Sequence, residues 1–484
     1  MPADSHIHQS FLRNVSLLLL INVLVKPIYI FFIDAQVQNS LGENTYGMYF
    51  EIFNLCMLFQ ILMDPGILNY NTQLIAKNND SASTHFEKIA SSKLLLTGIY
   101  ILLMLLLGYL MNYPPVYYQY LPGVIMILVL ASVSQYLRSH FASMGKYNYE
   151  AWFSSLDKVL MILIIGYFLY FKKQIDLGIF IHSQLVALLL SIVFFIVLLK
   201  GIMVLRLRFS FSYLKALIKK TMPYALVLLL MTLYTRIDGV MLGRLLDDNA
   251  YSAGLYARSY RLLDAANMIG ILFASMMLPM FARHFKEKAL LNSLVEEISR
   301  LLFVICLIVV LVCWFYSRPI MDLVYSGNTE EHYKVFQYLL LGFFAMGMSN
   351  IFGCLFLAAE KLKKINLLFV LGILMNVSIN YLLIPEKGAF GAVIATLITQ
   401  TFVFVGQVLL AFREFKLRFT AKSYVGFLML VGAAYVAFRI FDQQLHWNWL
   451  IEAVLISFLM LVLSFLLGFL RLSLIFGKKR EATI

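Results

Sequence analysis

Long apolar segments decide what this chain can fold into. A helix needs about 20 apolar residues to cross the hydrocarbon core of a bilayer, and the 484-residue sequence contains fourteen candidate segments. With 61% hydrophobic and only 13% charged residues, the chain lies outside the range of soluble domains. The sequence therefore predicts an all-α polytopic membrane protein with about 14 transmembrane helices. The segments cover roughly 11–33, 46–68, 91–112, 117–142, 151–171, 178–200, 219–243, 251–281, 297–317, 333–358, 364–384, 388–412, 422–441 and 447–471.

The charges between these segments indicate how the chain is oriented. If the N-terminus is cytoplasmic, the cytoplasmic side carries 27 Lys and Arg residues, counting Lys93 near the start of the third segment, and the outer side carries 7. Cytoplasmic loops of membrane proteins are enriched in basic residues. Both termini are therefore predicted to be cytoplasmic. The net charge of +13 is explained by this orientation and predicts no nucleic-acid partner.

Short motifs recur in the two halves of the chain in the same order. We interpret them as a repeat and predict two six-helix bundles, residues 1–205 and 206–415, followed by two additional helices and a basic tail in 416–484. Repeated bundles are typical of transporters whose substrate path lies between them. The motifs beginning at Leu41, Gly145 and Asp176 resemble those beginning at Leu245, Ala359 and Lys387.

We assign eight charged residues to the interior of the apolar segments, and these eight lie in the first, second, seventh and eighth. Charges inside a membrane are costly and tend to face a water-filled cavity, so they mark candidate functional residues. This clustering in the first two helices of each predicted bundle is the most informative feature of the sequence. The cations are Lys26, Arg236, Arg258 and Arg261, and the acids are Glu51, Asp64, Asp238 and Asp264.

Arg258, Arg261 and Asp264 follow one another at intervals of three, so they form a stripe along one side of a helix. Two guanidinium groups on one stripe suit a diphosphate or another anion, because arginine binds such groups bidentately. The alternative is an interhelical salt-bridge network in which Asp64, Asp238 and Asp264 neutralise the arginines. The same three acids are candidates for coupling to H⁺ or Na⁺.

Two prolines interrupt the charged segments. Pro27 follows Lys26 within the first segment and predicts a kink there, because proline removes a backbone donor and clashes with the preceding turn. Lys26 either lines the cavity at this bend or extends to the interface. Pro65, in Asp64-Pro65-Gly66, predicts the end or a kink of the second segment. Glu51 is compatible with an interfacial position. Asn376 and Asn380 share a helix face and are expected to form interhelical hydrogen bonds, with contact to sugar hydroxyls as the alternative.

Other classes of protein are disfavoured by what the sequence lacks. It has no glycine-rich nucleotide-binding loop with a lysine, which argues against transport driven directly by ATP. It also has no HExxH motif of metalloproteases and no GxSxG motif of serine hydrolases. The four cysteines lie in apolar runs without paired spacing. A glycan polymerase or ligase would need a large outer loop with catalytic groups. We therefore predict a non-enzymatic protein without a cofactor.

The charged segments resemble the polysaccharide biosynthesis and export proteins. LGENTYGMYF from Leu41, together with DPGILNYNTQLIA from Asp64, is similar to the first region of that family. The sequence from Thr221 to Ala265, with TRIDGVMLGRLLDDNAYSAGLYARSYRLLDA, is similar to its seventh and eighth helices. AEKLKKIN and KGAFGAVIATLITQ also fit. The chain resembles the Wzx-type O-antigen and oligosaccharide flippases, within the superfamily that includes MATE drug exporters and the lipid II flippase.

The resemblance implies a function that composition alone does not. It implies a flippase of the bacterial plasma (inner) membrane that moves a polyprenyl-diphosphate-linked oligosaccharide to the outer leaflet by alternating access. Lys26, Arg236, Arg258 and Arg261 would line its cationic cavity, H⁺ or Na⁺ would drive it, and membrane lipids and other polysaccharide-assembly proteins would be its partners. The alternative is an ion-coupled drug antiporter of the same fold. A cationic stripe argues against it, because the stripe would repel a cationic drug.

Overall fold

The computed structural model describes residues 24–67, 82–143, 153–199, 209–444 and 448–470, and this part of the chain is helical, with no strand. The Gly145 motif and the two ends of the chain lie outside the described residues. The α-helices are α1 (Ala35–Leu58), α2 (Ala82–Leu110), α3 (Pro115–Ser143), α4 (Leu156–Gly166), α5 (Leu177–Leu199), α6 (Phe211–Leu245), α7 (Tyr251–His284), α8 (Lys288–Phe315), α9 (Ser317–Val324), α10 (Glu330–Ala358), α11 (Leu362–Phe415), α12 (Ala421–Gln444) and α13 (Trp449–Leu466).

In the described residues, each of the fourteen predicted segments falls mostly on helix, which confirms the predicted fold class. The eleventh and twelfth segments are the two halves of α11, and Gly388 divides them with φ 55° and ψ −136°. Within the described residues, nine helices, with α11 counted once, are long and apolar enough to cross a membrane. The chain is therefore a polytopic membrane protein.

The first two apolar segments are joined by helix, although the hydropathy pattern interrupts them. In the described residues 24–58 the helix continues from the first segment into α1 and is interrupted at Gly42, with φ 72° and ψ 171°. That torsion pair lies in a region that residues with a Cβ rarely adopt. Residues between the two apolar segments are therefore helical.

Both predicted proline breaks change the local helix. Pro27 lies in a helix that changes at Tyr29 into a six-residue π-helical turn, Tyr29–Asp34. The wider turn accommodates the loss of the backbone donor at proline, and such turns are frequent at functional sites. At the second break α1 ends at Leu58, a 3₁₀ turn covers Gln60–Leu62, and Gly66 after Pro65 has φ 79°.

The residues form two compact units that are described separately. The first comprises the described parts of Met1–Arg261 and Val377–Ala392, and the second those of Leu262–Asn376 and Val393–Ile484. In the first unit α3 packs on α5, and α1 packs on α6. In the second unit, α8 packs on α10, and α12 and α13 also pack against α8. The division into bundles 1–205, 206–415 and 416–484 concerns the sequence repeat and stays a prediction.

Candidate functional site

Arg261 is held by a buried hydrogen-bonded group from the beginning of α1. Its Nε donates to the Tyr46 hydroxyl at 3.0 Å and lies 3.3 Å from Asp34 Oδ2. Tyr46 Oη donates to Asp34 Oδ1 at 3.0 Å, and Gln38 Nε2 donates to Asp34 Oδ2 at 3.0 Å. Asp34, Gln38 and Tyr46 are each at most 2% exposed. The guanidinium also lies over the Phe53 ring, 5.5 Å from its centre.

Arg258 lies one turn earlier on α7 and is 4% exposed. Its Nη2 is 2.9 Å from Glu43 Oε1. Two glycines allow α1 and α7 to approach closely enough for this pair. A Cβ on Gly254 would lie 2.0 Å from the Glu43 carbonyl oxygen, and a Cβ on Gly47 would lie 2.0 Å from the Ala250 carbonyl oxygen. Both glycines belong to the motifs that carry the family resemblance, so those motifs encode a helix crossing.

Arg236 and Asp238 lie on α6 and have different surroundings. The Arg236 guanidinium is 4.9 Å from the centre of the Tyr260 ring. Asp238 is 1% exposed and accepts two hydrogen bonds, one from the Tyr256 hydroxyl at 3.0 Å and one from Asn380 Nδ2 at 2.6 Å. These contacts fit the expectation that residues two apart face different neighbours. They also confirm the expected interhelical hydrogen bond of Asn380.

Asp64 forms an ion pair within the first unit. Lys93 Nζ is 3.6 Å from Asp64 Oδ2, donates to Ser132 Oγ at 2.8 Å and lies over the Tyr136 ring at 5.8 Å. Lys93 is 4% exposed. Lys93 is therefore a buried cation on α2 that links the Asp64 side chain, at the break after α1, to Ser132 on α3.

The other candidate residues lie apart from the arginines' ion pairs. Glu51 is fully buried, and its Oε2 accepts a hydrogen bond from the Tyr117 hydroxyl at 2.9 Å. Lys26 is half-buried in the helix that precedes the π-helical turn, and Asp264 is half-buried on α7 in the second unit. Among the described residues, no three His, Cys, Asp or Glu side chains are grouped so that they could hold a metal ion.

Comparison with known proteins identifies the family. Residues 11–285 match the model of a family described as polysaccharide biosynthesis protein. The chain belongs to this family. The match covers more than half of the chain and includes the segments that contain all eight intramembrane charges. Comparison of this polysaccharide biosynthesis protein with curated proteins gives no significant match.

Solved structures share the fold of this polysaccharide biosynthesis protein at low sequence identity. The lipid II flippase MurJ in an inward closed conformation is 13% identical, with a TM-score of 0.73 over 94% of this chain and 98% of that one. An inward-facing multidrug resistance MATE family transporter of the MOP superfamily is 13% identical, with a TM-score of 0.66 over 82% and 98%. A MOP superfamily transporter from Pyrococcus furiosus, described as having a binding pocket of reverse polarity, is 14% identical, with a TM-score of 0.58 over 84% and 95%.

The sequence predicts the arginines of this polysaccharide biosynthesis protein but misses their partners. Asp34 and Glu43 lie just beyond the first apolar segment and were not singled out, and the helix with its break at Gly42 holds them against α7. A signal for Asp34 is present, because Gln38 lies four residues later on the same helical face. The ion pairs described for Arg258 and Arg261 are with Glu43 and Asp34. The alternative of a salt-bridge network with Asp64, Asp238 and Asp264 stays a prediction.

The structure adds the surroundings of two other charged residues. Lys93, counted with the cytoplasmic cations, is buried on α2 beside Asp64. Glu51, for which an interfacial position was one possibility, has a fully buried side chain. Hydropathy places a residue along the membrane normal but does not show which charged side chain finds a partner inside the bundle.

The Asp64–Lys93 pair gives a prediction about stability. Lys93→Met should lower the thermal unfolding temperature by several degrees, because removing one member of a buried ion pair leaves an uncompensated charge. Lys93→Met with Asp64→Asn should recover most of the loss. Lys88→Met, which removes a more exposed lysine of the same helix, is the matched control and should leave the temperature within about a degree. Equal unfolding temperatures for wild type and Lys93→Met would contradict the prediction.

Proposed function

We propose that this chain is a flippase that moves a polyprenyl-diphosphate-linked oligosaccharide from the inner to the outer leaflet of a bacterial plasma membrane by alternating access. The observation that carries the proposal is the pair of arginines on α7. Arg258 and Arg261 lie one turn apart in a membrane-spanning helix, and each is held by a carboxylate from the α1 region. Membership of a polysaccharide biosynthesis family supports the proposed class of substrate, a precursor of a polysaccharide.

The ion pairs suit a site that has to bind and release a diphosphate. Guanidinium groups left alone in a membrane would be costly, so a protein that holds them needs a counter-ion between transport events. Asp34 and Glu43 supply it. A diphosphate offers the same kind of acceptor oxygens and more negative charge, and arginine binds it bidentately. Substrate binding would therefore exchange a carboxylate for a phosphate at each arginine.

The number of cations in the apolar segments bears on the charge of the transported glycan. Four cations in the apolar segments, two of them on the α7 stripe, are enough for a diphosphate but few for a strongly acidic glycan. The proposed substrate therefore has a largely neutral glycan. Lys26 and Arg236, which make other contacts, are proposed to line the path rather than to hold the diphosphate.

Asp238 is proposed as the residue that couples transport to an ion gradient. It is buried, and its carboxylate accepts hydrogen bonds from the Tyr256 hydroxyl and the Asn380 amide. A carboxylate in such surroundings can take up a proton or Na⁺ and release it when the surroundings change. Asp64 is held by Lys93, and Asp264 is less buried, so both are proposed as structural acids.

Reconstitution tests the proposed function directly. The full chain in proteoliposomes should expose a polyprenyl-diphosphate-linked oligosaccharide to a lectin on the opposite side faster than liposomes without protein. Ethidium, a cationic drug, should not be transported, because the arginine stripe has the wrong sign for it. Ethidium transport without glycan transport would overturn the proposal in favour of a drug antiporter.

A further inference from the structure

A second polar cleft lies within the first unit, and the proposed diphosphate site does not include it. Its volume is about 570 Å³, and it is lined by the beginning of α1, the turn between α2 and α3, and the turn between α6 and α7. We call it the outer cleft, because the predicted topology places all three segments at the outer side of the membrane. Arg258 and Arg261 are not among its lining residues.

The floor of the outer cleft is aromatic. Tyr113 and Tyr117 stack with their ring centres 4.6 Å apart and their planes 8° from parallel, and both are buried. The Arg244 guanidinium lies 5.1 Å from the Tyr113 ring centre. Beneath the tyrosines lies Glu51, to which Tyr117 donates. Tyr113 also interacts with the Glu51 carboxylate.

The stacked rings give the floor an apolar surface next to hydrogen-bonding groups, the two phenols and the Glu51 carboxylate. An elongated apolar ligand such as a lipid tail would leave the polar groups around this surface unused.

The rim of the outer cleft is formed by amides. Asn44, Asn112 and Asn249 line it, and all three are exposed. Asn112 and Asn249 have left-handed backbones, with φ 49° and 54°, which fix them at the ends of their turns. Each amide offers both donors and an acceptor. Arg244 and Asp247 add one charge of each sign, so the rim has no excess of cations for an anion.

We propose that the outer cleft binds saccharide units of the transported glycan. Sugar hydroxyls both donate and accept hydrogen bonds, which suits amides, while the C–H face of a sugar ring packs on an aromatic surface. The volume lies within the range of about 300–1,000 Å³ that is usual for small-ligand sites. The inference rests on the proposed function for the identity of the glycan. The cleft would hold the glycan at the exit side, apart from the diphosphate at the arginines.

The test removes the rim amides without straining the backbone. Asn112→Gly with Asn249→Gly keeps both positive φ angles, which glycine adopts readily. The control is Lys173→Gly, another residue with positive φ, at 52°, on the predicted outer side and not in the cleft. Asn44→Ala on α1 is an independent second variant. The probe is the free oligosaccharide released by mild acid from the lipid-linked pool of cells that express the protein.

Binding of this probe to the full chain in nanodiscs should be at least about tenfold weaker in the double glycine variant, because two hydrogen bonds are lost. Asn44→Ala should also weaken it, and Lys173→Gly should not. Wild-type affinity in the double variant, or no binding of the probe to wild type, would overturn the proposal. Flipping by the wild type is measured separately, so that a failure of the proposed function is seen there and not in the binding arm.

Discussion

Replacing Arg258 with Gln should abolish glycan translocation, and restoring the charge balance with Glu43→Gln should not recover it. The single substitution leaves Glu43 without its guanidinium partner, and a one-sided loss of a buried ion pair costs about 3–5 kcal/mol of stability. The double substitution replaces both charges with amides of similar shape, so the protein should regain most of its unfolding temperature. Transport should stay absent, because the group that would hold the diphosphate is gone.

This pair of variants separates a binding role from a structural one. If Arg258 served only to join α7 to α1, the double variant would recover transport together with stability. Thermal unfolding in detergent and lectin-detected flipping in proteoliposomes are measured on the same preparations. The matched control is Arg318→Gln, which removes an arginine 2.8 Å from Glu330, with both side chains 65% exposed. That variant should change neither quantity, because exposed ion pairs contribute little. Transport by the Arg258→Gln, Glu43→Gln protein would refute the diphosphate role.

Hydropathy predicts the fold because each membrane-spanning helix carries its own signal. A helix needs about 20 apolar residues whatever its neighbours are, so all fourteen segments could be located one by one. The breaks depend on backbone torsions at single glycines. Gly42 and Gly388 lie at boundaries between predicted segments, so the sequence indicates where the breaks are, but it does not show that each break is confined to one glycine in an otherwise continuous helix.

The site could be predicted only in part, because partners depend on the tertiary structure. Arg258 and Arg261 stand out as charges in an apolar segment. Asp34 and Glu43 do not, since they follow such a segment, and 215 positions separate Tyr46 from Arg261. The glycines of the family motifs indicate where helices cross, but in the sequence they were used only to identify the family resemblance. Gly47 and Gly254 mark where α1 and α7 touch backbone to backbone, and that crossing brings both carboxylates to the arginines.

The same reasoning about partners makes Asp238 the most informative acid. Asp238→Asn should leave the fold intact, because an amide can still accept from Asn380 through its oxygen and donate to the Tyr256 hydroxyl through its nitrogen. An amide cannot take up a proton or balance the charge of Na⁺ at this position. The initial rate of glycan flipping should therefore fall to the rate that the wild type shows without a gradient, and it should no longer respond to an imposed H⁺ or Na⁺ gradient.

The chain provides a close control for this substitution. Asp322 also accepts hydrogen bonds from a tyrosine and an asparagine, from Tyr333 at 2.7 Å and Asn328 at 2.9 Å, but it is exposed. Asp322→Asn should retain the full gradient response, because an exposed carboxylate is in equilibrium with bulk solvent and gains nothing from the conformational cycle. Applying the two gradients separately in proteoliposomes identifies the coupling ion. If Asp238→Asn keeps the wild-type response to both, then coupling does not involve this carboxylate, and the arginine site must operate without it.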